Sequence, residues 1–262
     1  MMKDIDVLRR LAGQDISIEL DDGVLILDFG HDVFPFLTDL EKREHYFKIM
    51  DAADNADDVK VVLSLAEPNS LGDETYDGYL RKTCGTDADL GNLGDSWDFK
   101  GNTDRLRQLC FHRYTIERRV ASKKIIIDGL RGAIVTPFFG GTLSADLRYA
   151  TPDMRFSLIH KKYGLHPSGA LAFFLPRYIG KGRAMELMLT ADSIDAEQAL
   201  ELGLINAILP AEDFVSECIK RAKSISGINL STLESTKLLS TPYRKELEGH
   251  FKTEESLVGY SW

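Results

Sequence analysis

Cysteine is scarce in this chain: three in 262 residues, Cys84, Cys110 and Cys218, odd in number and widely spaced. No CxxC pair and no His/Cys ligand cluster accompanies them. That argues against a disulfide framework and against a metal site, and predicts reduced thiols in a cytoplasmic protein. Positive charge is also in the minority, with 32 Lys and Arg against 41 Asp and Glu and a net charge of −9. No basic face is evident to neutralise phosphates, which argues against a nucleic-acid partner. A few local Lys or Arg could still hold a phosphorylated ligand. Long apolar runs are absent too: nothing approaches the roughly 18 residues of a membrane span. The first ten residues, MMKDIDVLRR, are charged and lead into no apolar run, which predicts that no signal peptide is present. There is no internal repeat and no low-complexity segment.

What is present is the composition of a soluble globular protein, 44% hydrophobic and 28% charged, with length for one or two domains. Ile16–Leu20 and Val24–Phe29 flank Asp21-Asp22-Gly23, the pattern of a β-hairpin. Helical spacing runs from Leu40 to Ala53, opened by Thr38 or Asp39 as cap. Val59–Leu65 reads as a buried strand and Gly72–Arg81 as a short helix. Thr83–Asn102 reads as a Gly- and Asp-rich loop, and Thr103–Ala121 as a helix. Asp87, Asp89 and Asp95 in that loop do not have EF-hand spacing and read as solvated. Met154–Leu158 reads as a strand. Beyond Ser168 the chain is mostly helical: 168–178, 181–189, 195–202, 211–226, 230–239 and 243–257, interrupted by a strand at Leu204–Leu209. Strands early and helices late predict an α/β core with a helical C-terminal layer.

The segment Lys124–Ala150, KIIIDGLRGAIVTPFFGGTLSADLRYA, organises the rest. It reads as a buried strand, a turn at Leu130-Arg131-Gly132, a short apolar run and a helix start, with Thr136 as N-cap and Pro137 at the first helical position. A helix N-terminus beside a strand end can present backbone N–H groups to an anionic oxygen.

The run Leu175–Phe214, LPRYIGKGRAMELMLTADSIDAEQALELGLINAILPAEDF, strongly resembles the crotonase (enoyl-CoA hydratase/isomerase) superfamily. Gly72-Asp73-Glu74 resembles that family's Gly-Ala-Asp turn, and Ser144-Ala145-Asp146 its Ala-Cys-Asp tripeptide. The resemblance implies an α/β crotonase-like spiral of ββα turns with a C-terminal helical trimerisation region. It divides the chain into a core over 1–195 and a helical region over 196–262. It implies an acyl thioester substrate whose enolate oxygen is held by two backbone N–H groups. No cofactor is expected beyond the coenzyme A of that substrate, and the expected assembly is a homotrimer or a dimer of trimers. The apolar residues Leu230, Leu233, Leu238, Leu239, Phe251, Leu257, Tyr260 and Trp262 point the same way.

Several positions depart from the family pattern. Gly132 and Asp146 both match without a gap, which places the family's three-glycine run on Thr136-Pro137-Phe138. Its central glycine donates one oxyanion N–H, and Pro137 has none. The two catalytic glutamates fall on Gly140 and His160, and the aspartate of dehalogenating members on Ser168. A register with Gly140-Gly141 on the glycine run needs compensating gaps on both sides. Asp73 N–H matches the surviving donor.

The candidates are therefore His160 and Asp128 for proton transfer, and Pro137, Phe138, Gly140 and His166 around the pocket. His160, beside Lys161 and Lys162, also reads as a surface histidine, and His166 reads as structural. Asp128 is a carboxylate in an apolar strand and needs a partner, Arg131 or a histidine. His112 is expected to face solvent, and Phe138, Phe139, Phe173 and Phe174 to pack in the core. Two functions fit: an enzyme on an acyl thioester or related ketone with a rebuilt acid/base set, unlike an ordinary hydratase, or a catalytically silent binding or partner subunit. A channel reaching His160 favours the first; one plugged by Phe138 or Phe139 favours the second.

Overall fold

A computed structural model describes residues 15–31, 33–84 and 102–257, together with Leu8, Leu11 and Gly13. The hairpin of β1 (Ser17–Asp21) and β2 (Val24–Asp28) turns through Asp22 and Gly23, both at positive φ, with Asp21 opposite Val24. Next come a 3-10 turn at Phe34–Leu37, helix α1 (Leu40–Asn55), β3 (Val61–Leu65), α2 (Asp73–Cys84) and α3 (Thr103–Ala121). Asp39, one of the two expected caps, accepts from the N–H groups of Glu41 and Lys42. The aspartates 87, 89 and 95 lie outside the described residues.

From here the chain alternates between two sheets. Strands β4 (Ile125–Leu130), β6 (Leu147–Ala150) and β9 (Ala207–Ile208) extend the first sheet, in the order β1-β2-β3-β4-β6-β9, parallel from β2 onward. Strands β5 (Ala133–Val135), β7 (Arg155–Ser157) and β8 (Ser193–Asp195) build the second, in the order β5-β7-β8. A turn of the spiral is visible in one stretch: β4 in the first sheet, β5 in the second, then helix α4 (Thr136–Thr142), then β6 back in the first. The expected spiral is thus the observed fold. In the sequence β5 shows only as an apolar run, and β8 carries no strand signal. Three-residue strands are too short to show an alternation of their own.

Gly132 makes the corner between β4 and β5 at φ +63°. A β-carbon there would stand 2.5 Å from Asn69 Oδ1, which instead accepts the N–H of Ala133 at 2.9 Å. Val135 N–H donates to Leu71 O at 2.9 Å. Together these bonds tie the segment after β3 to the start of α4.

Helices α5 (Leu171–Ile179), α6 (Lys181–Thr190), α7 (Ala196–Glu201), α8 (Phe214–Ser226), α9 (Leu230–Ser240) and α10 (Arg244–Ser256) complete the chain. A capping box at Asp195 and Gln198 opens α7. Asp146 accepts from Ile126 N–H at 2.7 Å and from the buried Lys237 ammonium at 2.8 Å, tying β4 to α9. The stacked rings of Phe139 and Phe156, 3.9 Å apart, lie in one of the buried apolar clusters with Phe173 and Phe174. No helix among the described residues is long and apolar enough to cross a membrane.

Candidate active site

Helix α3 presents His112, Thr115, Ile116 and Arg119 at i, i+3, i+4 and i+7, one face of the helix. Facing it, Asp128 on β4 and Ser64 on β3 are register partners in the sheet. All six line a cavity of about 110 Å³, lined elsewhere mostly by apolar groups such as Phe36, Leu71 and Phe138. Phe138 also packs edge-on against His112, ring centres 5.1 Å apart.

The polar part of this wall is built around one ion pair. Arg119 Nη2 donates to Asp128 Oδ1 at 2.5 Å, and both side chains are buried. Burial works against the arginine's charge, but Asp128 and the Tyr46 hydroxyl carry its pKa above the usual value. Arg119 is thus the partner of Asp128, not Arg131 or a histidine. Arg131 reaches over to donate from Nε to Ala66 O at 2.9 Å. Around the pair, Arg119 Nε, Asp128 Oδ2, Thr115 Oγ1 and His112 Nε2 are shielded from solvent without a hydrogen-bond partner.

His112 does not face solvent as expected: it is 3% exposed, and burial lowers its pKa to about 4. The stripe that α3 buries is wide enough to include it between Phe111 and Ile116.

His160 is buried rather than on the surface, in a 3-10 turn at Ile159–Tyr163. Its Nδ1 lies 3.1 Å from Thr136 Oγ1, and burial lowers its pKa to about 4. It does not line the cavity. Thr136 does not cap α4: Val135 holds that position and Pro137 the second helical one. The threonine hydroxyl is instead engaged with Ser157 O, at 3.1 Å, and with His160.

Asp73 is the first residue of α2, where an N–H has no acceptor within the helix. Its carboxylate pairs with Arg155 at 3.0 Å, and the residue lies off the cavity wall. The segment Gly169-Ala170 packs onto α4, with Pro137 O 2.1 Å from the place of a β-carbon on Gly169. Glu254 of α10 holds that segment, accepting from Gly169 N–H at 2.9 Å and Ala170 N–H at 3.0 Å. Burial would raise the Glu254 pKa, but His250 and those two N–H groups outweigh it and leave it lowered. His166 sits near this carboxylate, its pKa lowered by burial to about 4, and also lies off the cavity.

Of the residues expected at the site, the fold brings Asp128 and Phe138 together at the cavity and leaves Asp73, Pro137, Gly140, His160 and His166 outside its wall. Arg119, Thr115 and Glu254 were not among them. The signal for Arg119 was a charge on an apolar helical stripe; for Glu254, 84 and 85 residues from its bonding partners, no local signal exists. Among the described residues, no group of three or more His, Cys, Asp or Glu is placed to hold a metal ion.

Residues 111–261 match the enoyl-CoA hydratase/isomerase family, more than half of the chain. The chain belongs to that family. A curated relative, "Probable enoyl-CoA hydratase EchA12" of Mycobacterium tuberculosis, is 34% identical over 129 residues, 47% of this chain and 45% of the relative. The match therefore spans about half the length of that relative. Two solved enoyl-CoA hydratases share the fold. That of Bacillus halodurans has a TM-score of 0.73 at 22% identity, with 94% of each chain covered. That of Mycobacterium avium subsp. paratuberculosis has a TM-score of 0.72 at 18% identity, with 95% of each covered.

Within this enoyl-CoA hydratase/isomerase family member, one position is closed to an acidic side chain. A β-carbon on Gly140 would meet Gly169 O at 2.2 Å and Leu171 N at 2.6 Å. Backbone fills that space, so no side chain fits there without moving the Gly169 segment.

Proposed function

We propose that this chain binds a small acyl thioester or a related ketone, with the acyl part in the cavity between α3 and α4, and that it moves a proton on it without adding water. The observation that carries this reading is the set of unpartnered polar atoms in an otherwise apolar wall. Asp128 Oδ2 can take a proton, and His112, neutral at physiological pH, can pass one on through Nε2. The Arg119 guanidinium keeps Asp128 in place and compensates its charge. One backbone donor, Asp73 N–H, remains for an enolate oxygen, while Pro137 offers none. His160 acts through Thr136 as a positioning residue at the start of α4.

The test uses binding and exchange together. Butyryl-CoA should raise the melting temperature more than free coenzyme A does, because only the acyl part reaches the cavity. Gly141→Leu puts a side chain into that space, where a β-carbon meets nothing within 4 Å, and should remove the difference. In deuterated water the wild type should exchange the α-protons of butyryl-CoA, and Asp128→Asn should not. No stabilisation by any thioester would contradict the reading.

Phe138 in the wall and Pro137 at the donor position favour a second reading, a silent binding subunit. It predicts thioester binding with no α-proton exchange by the wild type.

A further inference from the structure

A saturated alkyl chain would suit most of this cavity but not the wall that holds the ion pair. Arg119 Nε and Thr115 Oγ1 carry unshared donors, while Asp128 Oδ2 and the same threonine oxygen have free acceptor capacity. Packing alkane against them leaves every one of these groups unsatisfied away from water, and each unsatisfied group weakens binding by about tenfold. These groups converge because Thr115 and Arg119 share one face of α3 with His112, and Asp128 is held to that face by the Arg119–Asp128 bond. The pair is neutral as a whole and His112 is uncharged, so an added carboxylate would meet Asp128 with no spare positive charge. A carbonyl could only accept. A hydroxyl does both, donating a hydrogen bond to a carboxylate oxygen and accepting one from a guanidinium N–H or a threonine O–H.

We propose that the acyl group this cavity takes carries a neutral hydroxyl, or a primary amide with the same donor-and-acceptor character, which pairs with Asp128, Arg119 and Thr115. This inference rests on the acyl-thioester reading for the placement of the ligand and adds its chemical class.

The experiment compares thioesters matched in length. 4-Hydroxybutyryl-CoA and 5-hydroxyvaleryl-CoA are titrated against valeryl-CoA and hexanoyl-CoA by calorimetry, with wild type and the near-isosteric Thr115→Val. The hydroxylated ligand should bind wild type about tenfold tighter or more than its alkyl match. Thr115→Val should lose most of that advantage while keeping its affinity for the alkyl thioester. Equal or weaker binding of the hydroxylated ligands would overturn the inference and leave the thioester reading standing. If no thioester binds, that reading falls. Free C4 and C5 primary alcohols and amides, followed by NMR shifts of His112 and Thr115, then decide the inference on its own: selective shifts over alkanes of the same length support it, and their absence overturns it. Should Thr115→Val fail to fold, Thr115→Ala, which removes the same hydroxyl, replaces it with the same expected loss of preference.

Discussion

The carbonyl oxygen of Gly169 lies 2.2 Å from the point where a β-carbon on Gly140 would stand. Two backbones have approached so closely that only glycine fits between them. This contact, braced by the Glu254 carboxylate, separates the chain from any mechanism that needs an acidic side chain at Gly140.

The first prediction contrasts neighbouring glycines. Replacing glycine by alanine inside a helix ordinarily stabilises by about 0.5–1 kcal/mol. Gly141→Ala should show that gain, since a β-carbon there meets nothing within 4 Å. Gly140→Ala should destabilise by about 1–3 kcal/mol, the usual range for overpacking. Urea unfolding of the two variants checks the sign of each.

The second concerns the ion pair in the cavity wall. Arg119→Met leaves Asp128 buried without its cation and should cost about 3–5 kcal/mol. The double change Arg119→Met with Asp128→Leu should recover most of that loss, because no charge is then stranded. A double variant as unstable as the single one would mean that packing, not charge, dominates at this contact.

The third is a dependence on acid. His112 and His160 stay neutral in the fold down to about pH 4, whereas an unfolded histidine takes its proton near 6.5. Between those values the unfolded chain binds more protons, so stability is complete above about pH 6.5 and falls as pH drops toward 4. At pH 5 each histidine should have removed about 2 kcal/mol relative to pH 7. His160→Gln should flatten the profile by close to one proton. Glu254, lowered from its ordinary 4.5, adds its own loss only as pH falls from about that value, at the acid end of the window.

The fourth is assembly, which we propose to be trimeric. Leu238 and Leu239 on α9 are 63% and 81% exposed, adjacent apolar groups that a subunit contact would cover. Light scattering at micromolar concentration should give a trimer or hexamer, and Leu238→Ser with Leu239→Glu should shift it toward monomer. A monomeric wild type would refute the proposal.

Much of the fold was legible because its longer elements carry their own periodicity. Thr103–Ala121 has the bounds expected of it, and the Asp22-Gly23 turn announces its hairpin. The site was less so, because its geometry depends on contacts between distant segments. Asp128 declared itself as a carboxylate in an apolar strand, but nothing local showed that α3 would turn Arg119, rather than Arg131, toward it. His112 reads as polar and therefore outward, yet the helix that carries it is covered on a wide face. His160, beside two lysines, reads as a surface group, and only the packing shows that its ring is sealed against Thr136 and away from the cavity.

The most direct test is hydration of crotonyl-CoA by the wild-type protein, followed by loss of the enoyl absorbance. Removal of a single oxyanion donor elsewhere costs about 3–4 kcal/mol, and in the register proposed here Gly140 and His160 stand where carboxylates would hold and activate water. The expected result is a rate at least about a thousandfold below that of an active hydratase assayed in parallel, although butyryl-CoA binds. Turnover comparable with that enzyme would contradict the account, and would mean that Gly140-Gly141 rather than Thr136-Pro137 lies at the oxyanion.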